Sequence, residues 1–250
     1  MPVFDVHTYM EGFLIPGVNQ NADQISQTLT SRRIERGIVF SARAAQADPL
    51  TGNRILKGMV EQQKGLFGGV VAHLNRIDAS LQSIRELMTS PRILGLMLVT
   101  TRPGEPLVPQ VAEEILSVAR RYHKPVFVHT PNAACVHIAL QLAQKYNTHK
   151  FVFLGMGGMD WRSGIAAASQ SSNIFLEISG PLDRAKIPAA IEGIGQNRVL
   201  FGSGMPQMDP AAALGLIDDS DIATEGRKRI LQENAKRLFN TAEVEAGPSA

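Results

Sequence analysis

The chain opens on Val3-Phe4-Asp5-Val6-His7-Thr8-Tyr9, a run in which apolar residues lead into polar groups at alternate positions. Side chains two apart on a strand leave the same face, so the spacing predicts a strand that presents Asp5, His7 and Tyr9 together. The plainer reading has Asp5 bonding only to nearby backbone and Tyr9 only packing. Met10 to Val18, with Gly12, Pro16 and Gly17, reads as a loop, and Asn21 to Glu35 as a helix with Ile25, Leu29 and Ile34 on its apolar stripe. Gly37 ends that unit just before the apolar run Ile38-Val39-Phe40, the next strand.

The same alternation repeats along the chain. A loop from Ser41 to Gly52 and a helix from about Asn53 to Gln63 precede a strand over Phe67 to Leu74; a helix over Asp78 to Met88 precedes a strand over Ile93 to Val99. A loop from Pro103 to Pro109 and a helix over Val111 to Tyr122 lead to Val126-Phe127-Val128-His129. Helices over Asn132 to Lys145, Trp161 to Ser169 and about Pro188 to Gly195 then alternate with strands over Phe151 to Leu154, Ile174 to Ile178 and Val199 to Phe201. Eight strands, each followed by helical sequence, predict an α/β fold of the (β/α)8 TIM-barrel type, slightly distorted and closed by an outer C-terminal helix over Arg227 to Phe239. Residues 1–240 read as one domain, and 241–250, rich in Ala, Glu, Gly and Pro, as a disordered tail.

Composition narrows the function without naming it. With 250 residues, 44% hydrophobic and 19% charged, the chain can bury one large core. A net charge of +2 with no dense Lys/Arg run gives no nucleic-acid track. No stretch approaches the roughly 20 apolar residues of a membrane span, and no basic-then-apolar leader precedes the first strand. Cys135, the single cysteine, excludes an internal disulfide and a multi-cysteine zinc cage, so the expected location is the reducing cytoplasm. Charge and length leave the oligomeric state, including assembly of identical copies, open.

In a barrel of this kind chemistry sits where strands end. His7 and Tyr9 end the first strand, His73 the third, His129 the fifth and Glu177 the seventh, so proton-transfer or metal-ligating groups converge from four strands. Singly, each reads as a hydrogen-bonded core or rim residue; together they argue for a pocket. Gly155-Met156-Gly157-Gly158 and Gly202-Ser203-Gly204 follow the sixth and eighth strands, and the second stretch reads either as a cradle for a carboxylate or phosphate or simply as a tight turn. Arg43 and Arg102, in loops after the second and fourth strands, are candidate partners for a carboxylate or else solvated surface residues. Cys135 falls among alanines within a helix and reads as structural, and His123, His137 and His149 as surface or packing residues.

Five segments, in order, carry a resemblance. They are Asp5-Val6-His7-Thr8-Tyr9 in the place of a D-x-H-x-H strand, Pro125-Val126-Phe127-Val128-His129-Thr130, Leu154-Gly155-Met156-Gly157-Gly158 against A-H-M-G-G, Leu200-Phe201-Gly202-Ser203-Gly204-Met205-Pro206 against G-[ST]-D-x-P, and Asn234-Ala235-Lys236-Arg237-Leu238-Phe239 against N-A-x-R-L-F. The chain resembles the amidohydrolase-related proteins of the metal-dependent hydrolase superfamily, a branch with decarboxylases and lactonases acting on small unsaturated or aromatic carboxylic acids. That family holds its metal with two histidines on the first strand, one on the fifth and an aspartate after the eighth, with a further histidine after the sixth near the substrate. At those places this chain keeps His7 and His129 and substitutes Tyr9, Gly155 and Gly204.

Two neutral imidazoles give little charge compensation to a divalent ion, and a catalytic zinc generally needs three protein ligands. The resemblance with its departures therefore implies a small carboxylate-bearing ligand and no tightly bound metal cofactor. The expected catalytic groups are His7, His129, His73 and Glu177, in metal-independent hydrolase, lactonase, lyase or decarboxylase chemistry. The expected ligand-binding groups are Asp5, Tyr9, Arg43, Arg102, Gly155, Ser203 and Gly204. Two other readings stand beside this one: a pseudoenzyme serving as ligand sensor or partner subunit, and a weak divalent site at His7 and His129 completed by Glu177 or Asp5.

Overall fold

Eight short strands, each followed by a helix that folds back over it, settle into a parallel (β/α)8 TIM barrel in which every strand neighbours the next in sequence. The structure is a computed structural model that describes residues 1–11, 19–100, 102 and 104–241. The strands are β1 Val3–Met10, β2 Ile34–Ser41, β3 Leu66–His73, β4 Ile93–Val99, β5 Val126–His129, β6 Phe151–Leu154, β7 Ile174–Glu177 and β8 Val199–Leu200. Closure between the last and first strands uses the Val6 amide on the Phe201 carbonyl (3.1 Å), the Gly204 amide on the His7 carbonyl (2.9 Å) and the Tyr9 amide on the Met205 carbonyl (2.7 Å).

Outside the strands lie α1 Ala22–Ser31, α2 Ala42–Gln46, α3 Pro49–Gln62, α4 Ile77–Leu87, α5 Pro109–Ala119, α6 Ala133–Lys145, α7 Trp161–Gln170, α8 Lys186–Ile194, α9 Pro210–Asp219, α10 Thr224–Lys228 and α11 Asn234–Phe239. Their starts are local chemistry: Asn21 and Gln24 form a capping box on α1, and Asp48 before Pro49 and Asp209 before Pro210 cap α3 and α9. The boundaries that differ most from the expected ones lie between β1 and α3. Arg33, with φ of +58°, breaks the first helix early and gives Ile34 to β2, and the span expected as a loop over 41–52 holds α2 and the start of α3 because Ser41 and Asp48 act as caps. Helix α9, which the expected element order lacked, starts at the Asp209-Pro210 signal.

Apolar residues form two layers. Val70, Leu96, Val128, Phe153 and Leu176 face the helices, whereas Phe4, Phe40, Phe67, Phe127 and Leu200 fill the barrel itself. The C-terminal helix does more than cover the outside. Phe239 of α11 stacks on Phe127 with ring centroids 5.7 Å apart and packs on Phe4, so it helps to plug the floor. At that end Arg92, Lys124 and Arg198 spend their donors on backbone carbonyls near the strand entrances. Among the described residues no helix is long and apolar enough to cross a membrane. The expected loop over 10–18 and the expected tail over 241–250 lie almost wholly outside the described residues.

Candidate functional site

With the floor filled by aromatics, the polar side chains gather at the opposite end, where the strands finish. His7 and Tyr9 come from β1, His129 from the last residue of β5 and Glu177 from the last residue of β7. The His7 Nδ1 lies 3.2 Å from Glu177 Oε2 and 3.2 Å from Ser179 Oγ, and its Nε2 lies 3.2 Å from the Tyr9 hydroxyl. That same hydroxyl makes a short hydrogen bond with His129 Nε2 and lies 3.5 Å from Met97 Sδ. The two imidazole centroids are 5.3 Å apart. His7, Tyr9, Glu177 and Ser179 are buried, and His129 alone of the group is exposed.

Glu177 is the anchor. Burial by itself would raise its pKa, but the hydrogen bond from His7 and the two bonds from Ser179 oppose that, and the carboxyl is held below the usual carboxylate range. Ser179 donates its amide to Oε1 (2.5 Å) and its hydroxyl to Oε2 (2.7 Å), and the Gly155 amide donates to Oε2 (3.1 Å). Burial pushes the Tyr9 phenol far above its ordinary value, with Glu177 acting in the same direction, so the hydroxyl keeps its proton. The barrel wall around His129 lowers its imidazole pKa, neighbouring His7 adds to this and Glu177 opposes it. His129 is therefore neutral near pH 7.

Asp5 goes elsewhere. The register of β1 shifts between Asp5 and Thr8, and the carboxylate turns to the loop after β8, where it accepts from Ser203 N (3.0 Å) and Ser203 Oγ (2.5 Å) as well as from the His7 amide (3.0 Å). The trio expected from strict alternation therefore reduces to His7 and Tyr9. Of the two readings of Gly202-Ser203-Gly204, the anion cradle loses its donors: the Ser203 amide is spent on Asp5 and the Gly204 amide on the His7 carbonyl, so the stretch binds β1. His73 is buried at the end of β3 with Nδ1 accepting from the Asn75 amide (3.1 Å), and it bonds to none of the His7 group. Arg43 pairs with Glu11 at 3.3 Å; Arg102 is 80% exposed and pairs with Glu105 at 3.4 Å. Cys135 is buried, and burial raises its thiol pKa.

Three contributors escaped the sequence reading. Ser179 sits two residues beyond Glu177, the spacing that places a hydroxyl beside a strand-end carboxylate, and this signal was there to be used. Lys186 at the start of α8 is fully buried and donates to the carbonyls of Ile178 (2.5 Å), Ser179 (3.2 Å) and Pro181 (2.7 Å), fixing the loop that carries Ser179; nothing in the pattern marks it. Gly202 makes room for Glu177, since a Cβ there would lie 2.6 Å from the carboxyl carbon.

A family model described as amidohydrolase matches residues 5–241. A comparison with curated protein sequences finds no match. Among solved structures, 2,6-dihydroxybenzoate decarboxylase from Rhizobium superposes with a TM-score of 0.77 at 17% identity over 97% of this chain and 100% of that one. A dihydroxybenzoic acid decarboxylase from a Polaromonas species, with bound manganese and 2-nitroresorcinol, gives 0.79 at 16% over 99% of each chain. The 5-carboxyvanillate decarboxylase from Novosphingobium aromaticivorans, complexed with manganese and 4-hydroxy-3-methoxy-5-nitrobenzoic acid, gives 0.77 at 11% over 95% of this chain and 96% of that one. At these identities the likeness is one of fold.

These structures go against the expectation that this chain carries no tightly bound metal cofactor, because two of the three hold manganese. In this chain the convergent donors are two imidazole Nε2 atoms with a protonated phenol between them. Among the described residues no three His, Cys, Asp or Glu side chains come together around a point that could hold an ion. This donor set does not fit manganese, which favours carboxylate, carbonyl and water oxygens.

Proposed function

The chain belongs to the amidohydrolase family whose model spans residues 5–241, and on that premise we propose that its barrel mouth binds a small aromatic carboxylic acid and exchanges a proton with it through His129. One observation carries the reading: His129 is the exposed end of an otherwise buried chain of polar groups, tied through Tyr9 to His7 and Glu177. Its Nδ1 forms no hydrogen bond among the described residues, and the lone pair of a ring nitrogen left free in this way can accept a proton from a ligand.

The surroundings suit such a ligand. Val108, Met159 and Leu182 are exposed apolar side chains on the loops after β4, β6 and β7, at the end of the barrel where His129 opens. They offer apolar surface to a ring, and Arg102, loosely held by Glu105 in the loop after β4, is the cation proposed for the carboxylate, with Arg43 second because Glu11 occupies it more closely. The reaction class this supports is lyase or hydrolase chemistry in which a proton moves between His129 and a ligand carbon or oxygen. The dihydroxybenzoate decarboxylases that share the fold motivate 2,6-dihydroxybenzoate as the first probe.

A second reading, binding without turnover, draws support from Gly155 and Gly204. Both adopt positive φ, +77° and +71°, where a family histidine or aspartate would be strained. One experiment addresses both readings: calorimetric titration with 2,6-dihydroxybenzoate, and carbon dioxide release, each with and without added manganese chloride, on the wild type and on His129→Ala. Saturable binding weakened about tenfold or more by the substitution is expected, and carbon dioxide release assigns catalysis rather than binding alone. No binding, or binding indifferent to His129, overturns the reading.

A further inference from the structure

A hydroxyl carries one hydrogen, yet that of Tyr9 faces a ring nitrogen on each side. This mismatch fixes the protons of the whole cluster. Glu177 is ionised and accepts from Ser179 and Gly155, and the hydrogen of the Ser179 hydroxyl is spent on Oε2. The His7 Nδ1 must therefore carry a hydrogen to face the carboxylate, which leaves a lone pair on Nε2 when the ring is neutral. That lone pair accepts from Tyr9, whose oxygen then has only lone pairs to offer His129. The partner nitrogen of His129 must be an N–H, and its Nδ1 is left with the lone pair. Every donor in the series points toward Glu177.

We propose that Glu177, His7, Tyr9 and His129 form a single proton relay, in which a proton taken up at His129 Nδ1 ends on His7 beside Glu177. The step balances. An N–H bond forms at His129 Nδ1 as the ligand's bond to hydrogen breaks; the Nε2 hydrogen of His129 passes to the Tyr9 oxygen while the Tyr9 hydrogen passes to His7 Nε2. His129 and Tyr9 finish neutral, His7 finishes as an imidazolium, and the bonding electrons stay on the ligand. The product state is as fully hydrogen-bonded as the starting one: His7 keeps its Nδ1–H on Glu177, while the His7 Nε2–H now faces Tyr9 and the Tyr9 hydroxyl now faces His129. His129 is the group that meets the ligand, and the other three act through it.

Two carboxyls lie beside the stored proton. Glu177 on β7 lies against His7 Nδ1, and the buried Asp5 carboxyl accepts the His7 amide, while the Lys186 ammonium is turned away onto three carbonyls. A phenolate on Tyr9 is avoided because its two hydrogens move together, in keeping with the strongly raised phenol. The relay deepens the reading of His129 as proton-exchanging group and rests on that reading only for the source of the proton. Its test needs neither ligand nor turnover.

Ring nitrogen NMR on histidine-labelled protein at constant neutral pH reads the tautomers directly. Opposite tautomers are expected in the wild type, Nδ1–H on His7 and Nε2–H on His129. Glu177→Gln places an amide N–H against His7 Nδ1 and is expected to invert both rings, to Nε2–H on His7 and Nδ1–H on His129, two groups away. Adding Tyr9→Phe to that variant is expected to confine the inversion to His7, and Tyr9→Phe alone to leave His7 as it is while His129 populates both forms. The proposal is overturned by like tautomers in the wild type, by a His129 indifferent to Tyr9→Phe, or by stoichiometric manganese chloride broadening both rings, since an ion would then occupy the place given to the phenol hydrogen. If Glu177→Gln does not fold, the wild-type and Tyr9→Phe spectra decide alone.

Discussion

The carboxylate of Glu177 lies against the α-carbon of Gly202, so close that a methyl group there would sit 2.6 Å from the carboxyl carbon and 2.7 Å from Cγ. Gly202→Ala therefore has to displace either the buried carboxylate or the β8 backbone. We expect a loss of about 1–3 kcal/mol in chemical denaturation from overpacking, together with a changed His7 ring signal. An alanine variant as stable as the wild type with an unmoved His7 would contradict the packing described for Glu177.

Asp5 supplies a pH-dependent test. Burial raises its pKa from 3.8 to about 6, with the Ser203 and His7 hydrogen bonds partly opposing. An acid that holds its proton more tightly when folded makes the native state bind more protons than the unfolded chain between those values, so its contribution to stability falls as pH rises through them. Asparagine has no such dependence. Between about pH 3.5 and 7.5 the wild type should lose roughly 3 kcal/mol relative to Asp5→Asn, on top of any constant offset from the altered bonds to Ser203. A difference between the two denaturation curves that stays flat across this interval would show that the carboxyl ionises normally.

Lys186 holds three carbonyls of the loop after β7 from a fully buried position, and burial lowers its pKa to about 8. Lys186→Met keeps the length and removes the donors, leaving buried acceptors unpaired at about 1–3 kcal/mol each. A total loss above about 3 kcal/mol is expected, with Ser179 released from Glu177 as the local consequence. Thermal melting together with the His7 ring signal checks both parts, and a Met variant of unchanged stability would remove Lys186 from the account.

At the other end of the barrel, Phe239→Ala should cost about 3–5 kcal/mol, because the ring stacks on Phe127 and is only 6% exposed. Denaturation measures it. A cost below about 1 kcal/mol would mean that the helix merely covers the outside, as its sequence position suggested.

How far the sequence could be read depends on whether a signal was periodic or three-dimensional. Eight runs such as Phe67 to Leu74 and Phe151 to Leu154, separated by helical stripes, identify the barrel because burial of strands and helix faces is written in one-dimensional spacing. The placement of His7, His129 and Glu177 at strand ends followed from the same rule, and the structure brings these three together with Tyr9. Asp5 was grouped with them wrongly because a register shift within β1 leaves no trace in the pattern. The cradle reading of Ser203 and Gly204 could not be discarded from sequence for a different reason: the partners of their amides lie on a strand about 200 residues earlier. Nothing in the sequence pattern marks Lys186, since only the folded loop supplies the carbonyls that make its burial tolerable.

The central claim is that His129 is where the barrel meets its ligand, and ring nitrogen NMR during titration with 2,6-dihydroxybenzoate tests it most directly. The predicted result is a saturable shift of the His129 signals, with His7 following through Tyr9 and His137, exposed on α6 against Gln141, unmoved. Binding detected by calorimetry while His129 stays unmoved would contradict the account.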